Sequence, residues 1–401
     1  MRASSVGIRG DVMGALNGQQ YEHYPLALDL PADLETPAVL VDRDILQANI
    51  DRMQTLADEA GLNLRPHVKT HKSVAIARRQ LAAGASGLTA SKVDEALVFI
   101  EAGLPSVTLA YPQVAAGKLD RLLGTARRCG CNLRLIVDSM AGVDLLAARA
   151  AALGCHPGVF IKIDVGLHRC GRKPDDPLLP VLAEALSCAA SLDFRGLLSH
   201  AGHAYGAADG GAAARMAEAE RLSMVALADR LRRSGWRVPE VSVGSTPTVL
   251  AARRFDGLTE IRPGNYVFMD QTPLRLGLVP PSRIALSVLS TVVSTNDRYA
   301  IVDAGSKTLS SDRGAHGVDG LAGYGRAFAL AAAGRETPRT VAKLSEEHGF
   351  VVMDGRRLQP GERLQIFPNH ACPVINLARQ FYVRRGTAIE PWSIDAAACV
   401  R

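Results

Sequence analysis

Paired cysteines are missing from this 401-residue chain: its seven cysteines include no CxxC and no framework spacing. An odd number of thiols in so long a chain argues against a disulfide scaffold and predicts reduced cysteines in a cytosol. Cys129-Gly130-Cys131 is a CxC without a partner cluster, and it is expected to end a helix. No apolar run approaches the roughly 20 residues of a membrane span. Met1 to Gln20 also lacks an apolar signal region, so a soluble, cytoplasmic protein with no membrane partner is expected. Aromatic residues are scarce at 5%, and the arginines (Arg127-Arg128, Arg232-Arg233, Arg253-Arg254, Arg384-Arg385) are scattered. The net charge of +6 therefore fits basic pockets for an anionic substrate or cofactor, with no nucleic-acid partner. Internal repeats are lacking, and so is a glycine-rich dinucleotide fingerprint after the first apolar run. The latter absence counts against an open doubly wound sheet.

What is present is ordinary globular material, 47% hydrophobic and 21% charged, in a length that suits two domains. Residues 1–35 read as a polar arm. From Thr36 a rhythm of short apolar runs and helical patterns begins: Ala38–Val41, Leu62–Pro66, Gly87–Ala90, Val107–Ala110, Leu133–Val137, Val159–Asp164, Gly196–Ser199 and Val241–Val243. Between the first two, Asp44 to Ala60 places Ile45, Ile50, Met53 and Leu56 on one helical face. Eight strands separated by single helices predict a (β/α)8 barrel over residues 36–275. After Gly264 the segments become short and β-rich, with Asp354-Gly355 and Pro360-Gly361 as turns. Residues 276–401 are expected to form a mainly β domain, joined by the arm.

The stretch Leu64-Arg65-Pro66-His67-Val68-Lys69-Thr70-His71-Lys72 organises the chemistry. Pro66 forbids a continuing helix, and a helical pattern starts at Ser73. Lys69 thus stands at the C-terminal end of a strand, the face on which barrels keep their catalytic groups. A solvated basic turn is the alternative. His67, His71 and His203 carry no assignment from the sequence. Gly244-Ser245-Thr246 follows the last of the expected strands and opens a helix, offering backbone N–H groups and hydroxyls to a phosphate. Most such turns are simply helix caps. His370 and Cys372, two apart on extended backbone, point to one side, and both suit zinc. A buried cysteine beside an unrelated histidine is the competing reading.

Taken together, PHVKTHK (66–72), IDVGLHRCG (163–171), SHAGHAY (199–205), VGSTPT (243–248), RPGNYVF (262–268) and PNHAC (368–372) occur in order across the chain. The sequence resembles the fold-type III pyridoxal-phosphate enzymes, specifically the D-serine dehydratase-like and D-threonine aldolase family. The resemblance implies an alanine-racemase-like barrel with a β domain, in a homodimer with active sites near the subunit interface. It makes Lys69 the Schiff-base lysine, with Lys72 its rival. Gly244, Ser245, Thr246 and Tyr266 would hold the cofactor phosphate. Arg169 would lie beside the ring, His200 and Tyr205 would line the pocket, and His370 with Cys372 would bind a divalent metal, zinc before manganese or magnesium.

The implied activity is a lyase on D-3-hydroxy amino acids: a D-serine or D-threo-3-hydroxyaspartate dehydratase giving keto acid and ammonia. A D-threonine aldolase giving glycine and an aldehyde is the alternative. As the family is known, aldolases tend to carry His-x-Asp where this chain has His370-Ala371-Cys372, and that departure favours the dehydratase. A non-catalytic pyridoxal-phosphate carrier lacks use for a β domain with a His-x-Cys pair, and an amino-acid racemase lacks use for the metal.

Overall fold

The computed structural model describes residues 24–315, 320–332 and 337–401, so the first 23 residues of the arm lie outside the described residues. Two sheets divide the chain. The first strand, β1 (Ala38–Asp42), hands over directly to helix α1 (Arg43–Glu59). The Asp42 carboxylate caps that helix by accepting from the backbone N–H of Asp44 at 3.1 Å and of Ile45 at 3.0 Å. Leu46, Ile50, Met53 and Ala57 form its buried face, with the expected Ile45 and Leu56 packed at the edge. Burial at these three- and four-residue spacings is what makes the segment a helix.

Eight parallel strands then follow: β2 (Asn63–Leu64), β3 (Leu88–Ala90), β4 (Ser106–Leu109), β5 (Asn132–Val137), β6 (Gly158–Lys162), β7 (Asp193–Leu198), β8 (Glu240–Val243) and β9 (Glu260–Ile261). β9 pairs with both β8 and β2. The ring closes between β2 and β3 through a bridge from His67 to Thr89 and a bond from Thr89 N–H to the Pro66 carbonyl at 2.8 Å. The expected barrel is present, with one correction to its strands. Ala38–Val41 belongs to the other sheet, so Lys69 follows the first barrel strand, and Val241–Val243 lies in the seventh. The eighth, β9, is only two residues long and too short for periodicity to reveal. Cys129, as expected, ends a helix, Ala116–Arg128.

The barrel interior holds charge near its N-terminal end. Arg65 is 2% exposed and its Nε sits 2.7 Å from Glu260, while Arg134 reaches Glu240 at 2.8 Å. Buried charges persist only when paired, and here each carboxylate has an arginine partner.

The second sheet has nine strands: β10 (Leu286–Thr295), β11 (Tyr299–Val302), β12 (Gly325–Ala329), β13 (Arg339–Leu344), β14 (Gly349–Val352), β15 (Arg363–Pro368), β16 (Gln380–Arg385) and β17 (Ala388–Ser393), with β1 inserted between β10 and β16. The long β10 pairs with β1 along its first half and with β11 along its second, which curls the sheet onto itself. From Tyr24 the arm lies on this sheet: its ring packs 4.8 Å from Phe328 and 4.9 Å from Phe367, and Ala27 N–H donates to Gln365 at 2.8 Å. One apolar cluster runs from Leu64 and Val159 in the barrel to Val288, Ile366 and Phe381 in the β sheet. Among the described residues no helix is long and apolar enough to cross a membrane.

Candidate active site

Pro66 ends β2, and the His67 N–H turns to bond the Pro263 carbonyl at 3.0 Å. The His67 ring then caps the single helical turn Val68–Thr70, its Nδ1 accepting from the Lys69 N–H at 3.4 Å. This brings Lys69 into the wall of a cavity of about 370 Å³ at the C-terminal end of the barrel. Gly264 permits the close approach, since a Cβ there would sit 3.0 Å from Thr70 Oγ1 and 3.1 Å from the His67 carbonyl oxygen. Burial lowers the Lys69 pKa; a Cys372 thiolate opposes that, and Arg169 adds to it. Lys72 has a different fate. Its ammonium is committed to Glu95 at 2.8 Å and to the carbonyls of Ala396 and Cys399 at 3.4 Å.

A second wall is the turn after β8. Gly244 has φ +106, the left-handed region open to glycine, and a Cβ there would meet Val249 at 2.9 Å. Ser245 and Thr248 cap the following helix reciprocally, and Ser245 Oγ also donates to the Ala201 carbonyl at 3.1 Å. Thr246 Oγ1 accepts the Tyr266 backbone N–H at 3.1 Å and interacts with the Tyr205 phenol, which burial keeps protonated. His200 Nδ1 donates to the Gly244 carbonyl at 3.1 Å. Burial and the charges of Lys69, Lys162 and Arg169 hold that ring neutral. His67 is likewise depressed by burial and by Lys69, Arg262 and Arg169. Several positive charges therefore converge on a space flanked by hydroxyls, which suits an anionic ligand.

The third wall comes from the β domain. His370 and Cys372 stand at the start of the short helix Ala371–Leu377 and hydrogen-bond to each other. Burial opposes charge on both. The opposite charge of each partner and their mutual hydrogen bond, joined by Asp312 on the imidazole and by Lys69 and Thr70 on the thiol, together outweigh it, raising the imidazole pKa and lowering the thiol's. Asp312 Oδ2 lies 3.1 Å from His370 Nδ1, and Cys372 Sγ lies 3.3 Å from Thr70 Oγ1. Buried Asp270 accepts from the Ala371 N–H at 3.0 Å and from Asn265 at 2.9 Å, tying this helix to the barrel. An imidazole oriented by a carboxylate, beside a thiolate, is a donor pair for a metal. Among the described residues no third His, Cys, Asp or Glu joins it.

Lys69, His200, Tyr205, Ser245, Thr246, His370 and Cys372 are thus brought to one cavity, with Gly244 shaping its turn; Arg169 is exposed and outside the lining, its charge acting on Lys69 and His200. Tyr266 is a correction: its ring is fully buried away from the cavity, because its hydroxyl accepts from Gln80 Nε2 at 2.9 Å. The preceding Gly264 and Asn265 line the cavity instead. Of the unassigned histidines, His67 lines it, His71 is buried outside it, and His203 packs on Gly166. Nothing in the sequence pointed to Asp312, Lys92 or Glu95, whereas the added lining residues His67, Thr70, Lys72, Arg262, Gly264 and Asn265 all fell within quoted motifs.

Comparison with known proteins agrees with this architecture. The family description "Alanine racemase, N-terminal domain" matches residues 41–272, and "Putative serine dehydratase domain" matches 285–384. D-threo-3-hydroxyaspartate dehydratase of Delftia sp. (strain HT23) is 43% identical over 84% of this chain and 91% of its own length. D-threonine aldolase of Arthrobacter sp. is 30% identical over 91% of this chain and 93% of its own. A solved cysteine-to-alanine mutant of D-threo-3-hydroxyaspartate dehydratase, described as in the metal-free form, superposes with a TM-score of 0.83. It is 39% identical and covers 90% of this chain and 98% of that one. The chain belongs to the fold-type III pyridoxal-phosphate enzymes of the D-serine dehydratase-like family, a family of lyases.

Proposed function

We propose that the protein is a metal-assisted ammonia-lyase acting on D-3-hydroxy amino acids, with D-threo-3-hydroxyaspartate and D-serine as substrates. The observation that carries this reading is a single cavity in which Lys69, whose ammonium is disfavoured by burial, stands beside the His370–Cys372 pair. Lys69 is the residue assigned to the cofactor, Gly244, Ser245 and Thr246 to its phosphate, and Arg169 and His200 to its ring. Bound there, pyridoxal phosphate supplies an electron sink for negative charge at the substrate Cα. A divalent metal held by His370 and Cys372 would supply Lewis acidity toward a β-hydroxyl, and a nitrogen–sulfur pair favours zinc over manganese or magnesium.

The residues of the chain account for the proton traffic. The Lys69 amine is suited to take the α-proton, because burial and Arg169 weaken its hold on a positive charge. His200, fixed by the Gly244 carbonyl, is a neutral donor or acceptor; the Tyr205 phenol is kept protonated and serves as a donor. Loss of the α-proton and the β-hydroxyl removes water across Cα–Cβ. The released enamine tautomerises and hydrolyses to a keto acid and ammonia.

The aldolase reading draws support from the 30% identity to D-threonine aldolase. The dehydratase reading is favoured by the 43% identity to the Delftia dehydratase and by Cys372. A product assay with D-threo-3-hydroxyaspartate, D-serine and D-threonine decides between them. Keto acid and ammonia from the first two are expected. Glycine as the main product would replace the dehydratase with the aldolase.

A further inference from the structure

Four lysine and arginine side chains line the cavity: Lys69, Lys72, Lys92 and Arg262. Three are committed. Lys69 is assigned above, Lys72 is bound by Glu95, and Arg262 donates to the Ser199 carbonyl and the Ser242 hydroxyl. Lys92 makes no ion pair among the described residues. It precedes the helix Val93–Glu101, and its Nζ lies 4.0 Å from the centroid of the exposed Tyr111 ring. That contact steadies the ammonium without neutralising it. The carboxylates on the same helix are already used. Glu95 holds Lys72 and accepts the Ser91 N–H at 2.6 Å, and Asp94 pairs with Arg121 at 2.9 Å and Arg401 at 3.4 Å.

We infer that Lys92 binds the second carboxylate of a dicarboxylic substrate and makes the pocket select 2-amino-3-hydroxy dicarboxylates over D-serine. This rests on the lyase reading for the nature of the substrate, and on the cavity wall for the residue. A monocarboxylic amino acid leaves the Lys92 charge unanswered. A dicarboxylic one gives it a charge-assisted hydrogen bond, worth roughly 10- to 100-fold in affinity.

The test is binding without turnover. D-aspartate and D-alanine both lack a β-hydroxyl and differ in the second carboxylate. Each is titrated into the holoenzyme and its Lys92→Met and Lys92→Arg variants, with binding read from the visible spectrum of the bound cofactor. The unmodified enzyme should prefer D-aspartate, Lys92→Met should lose that preference by roughly 10- to 100-fold, and Lys92→Arg should retain most of it. No preference in the unmodified enzyme, or an equal preference in Lys92→Met, overturns the inference. Keto-acid release from D-threo-3-hydroxyaspartate is followed in parallel. Its absence alongside a preference that depends on Lys92 removes the dehydratase reading and leaves the carboxylate site standing.

Discussion

Two lysines three residues apart have opposite surroundings, and residue-level chemistry separates them. Lys69 faces the cavity, whereas Lys72 is 7% exposed against a Glu95 that is wholly buried. Lys69→Ala should yield a folded, colourless protein without activity. Lys72→Ala should keep the visible band of bound cofactor but unfold more easily by about 3–5 kcal/mol, since Glu95 is left buried and unpaired. A stable but colourless Lys72→Ala protein would reverse the two assignments. His71 gives a pH prediction. Its Nδ1 accepts from the Ser73 N–H at 3.1 Å and its Nε2 meets Gln80 Oε1 at 3.2 Å. Burial pushes its pKa from 6.5 to about 3. A histidine depressed in the folded state binds a proton more readily when unfolded. Its contribution is therefore complete above pH 6.5 and is lost toward pH 3. Each pH unit in that window should remove about 1.4 kcal/mol, and His71→Gln should show a flatter decline in denaturant midpoint. Identical pH profiles for the two proteins would refute this.

At the scale of elements, β1 and α1 form the joint between the two sheets, and Asp42 is its pivot. Besides capping α1, its Oδ2 meets Arg384 at 2.5 Å, which links the helix to β16. Asp42→Ala should cost about 1–2 kcal/mol in denaturant unfolding with an unchanged slope. Asp42→Asn retains an oxygen for the cap and should recover about half of that loss. Equal losses in both variants would place the whole effect in the pairing with Arg384. The elements around the cavity follow the same logic of remote contacts. The helix that carries Cys372 is anchored by Asp270, about a hundred residues earlier, through the Ala371 N–H.

For the whole molecule, the site exists only where barrel and β domain meet, because Lys69 follows a strand of one sheet and Cys372 a strand of the other. The proposed metal has two protein donors and should be labile to chelators. Chelation should abolish keto-acid formation from D-serine while the visible band of the cofactor persists, and zinc should restore turnover. A Cys372→Asp variant should exchange zinc for a harder ion and lose most lyase activity. Full activity of a metal-free preparation would dismiss a role for the pair.

The barrel, the β-rich C-terminal part and the strand ends that carry Lys69 and Ser245 were legible in the sequence. Their signals are local: an apolar period, a proline that ends a strand, a glycine needed at φ +106 in the turn before Ser245. Which sheet Ala38–Asp42 joins is not a local property, since an apolar run is equally buried in either. Pairing with Leu286–Leu289 and Tyr382–Arg384 decided it. β9 has two residues and no period to read, and register with β8 and β2 makes it a strand. Tyr266 left the cavity because Gln80, 186 residues away, meets its hydroxyl. Lys72 and Lys92 are equivalent basic residues until Glu95 neutralises one of them and not the other. Sequence thus determined the kinds of groups and the strand ends that present them. Tertiary packing decided which charges are spent on each other and which remain for a ligand, because Coulombic pairing depends on distances the chain order does not contain.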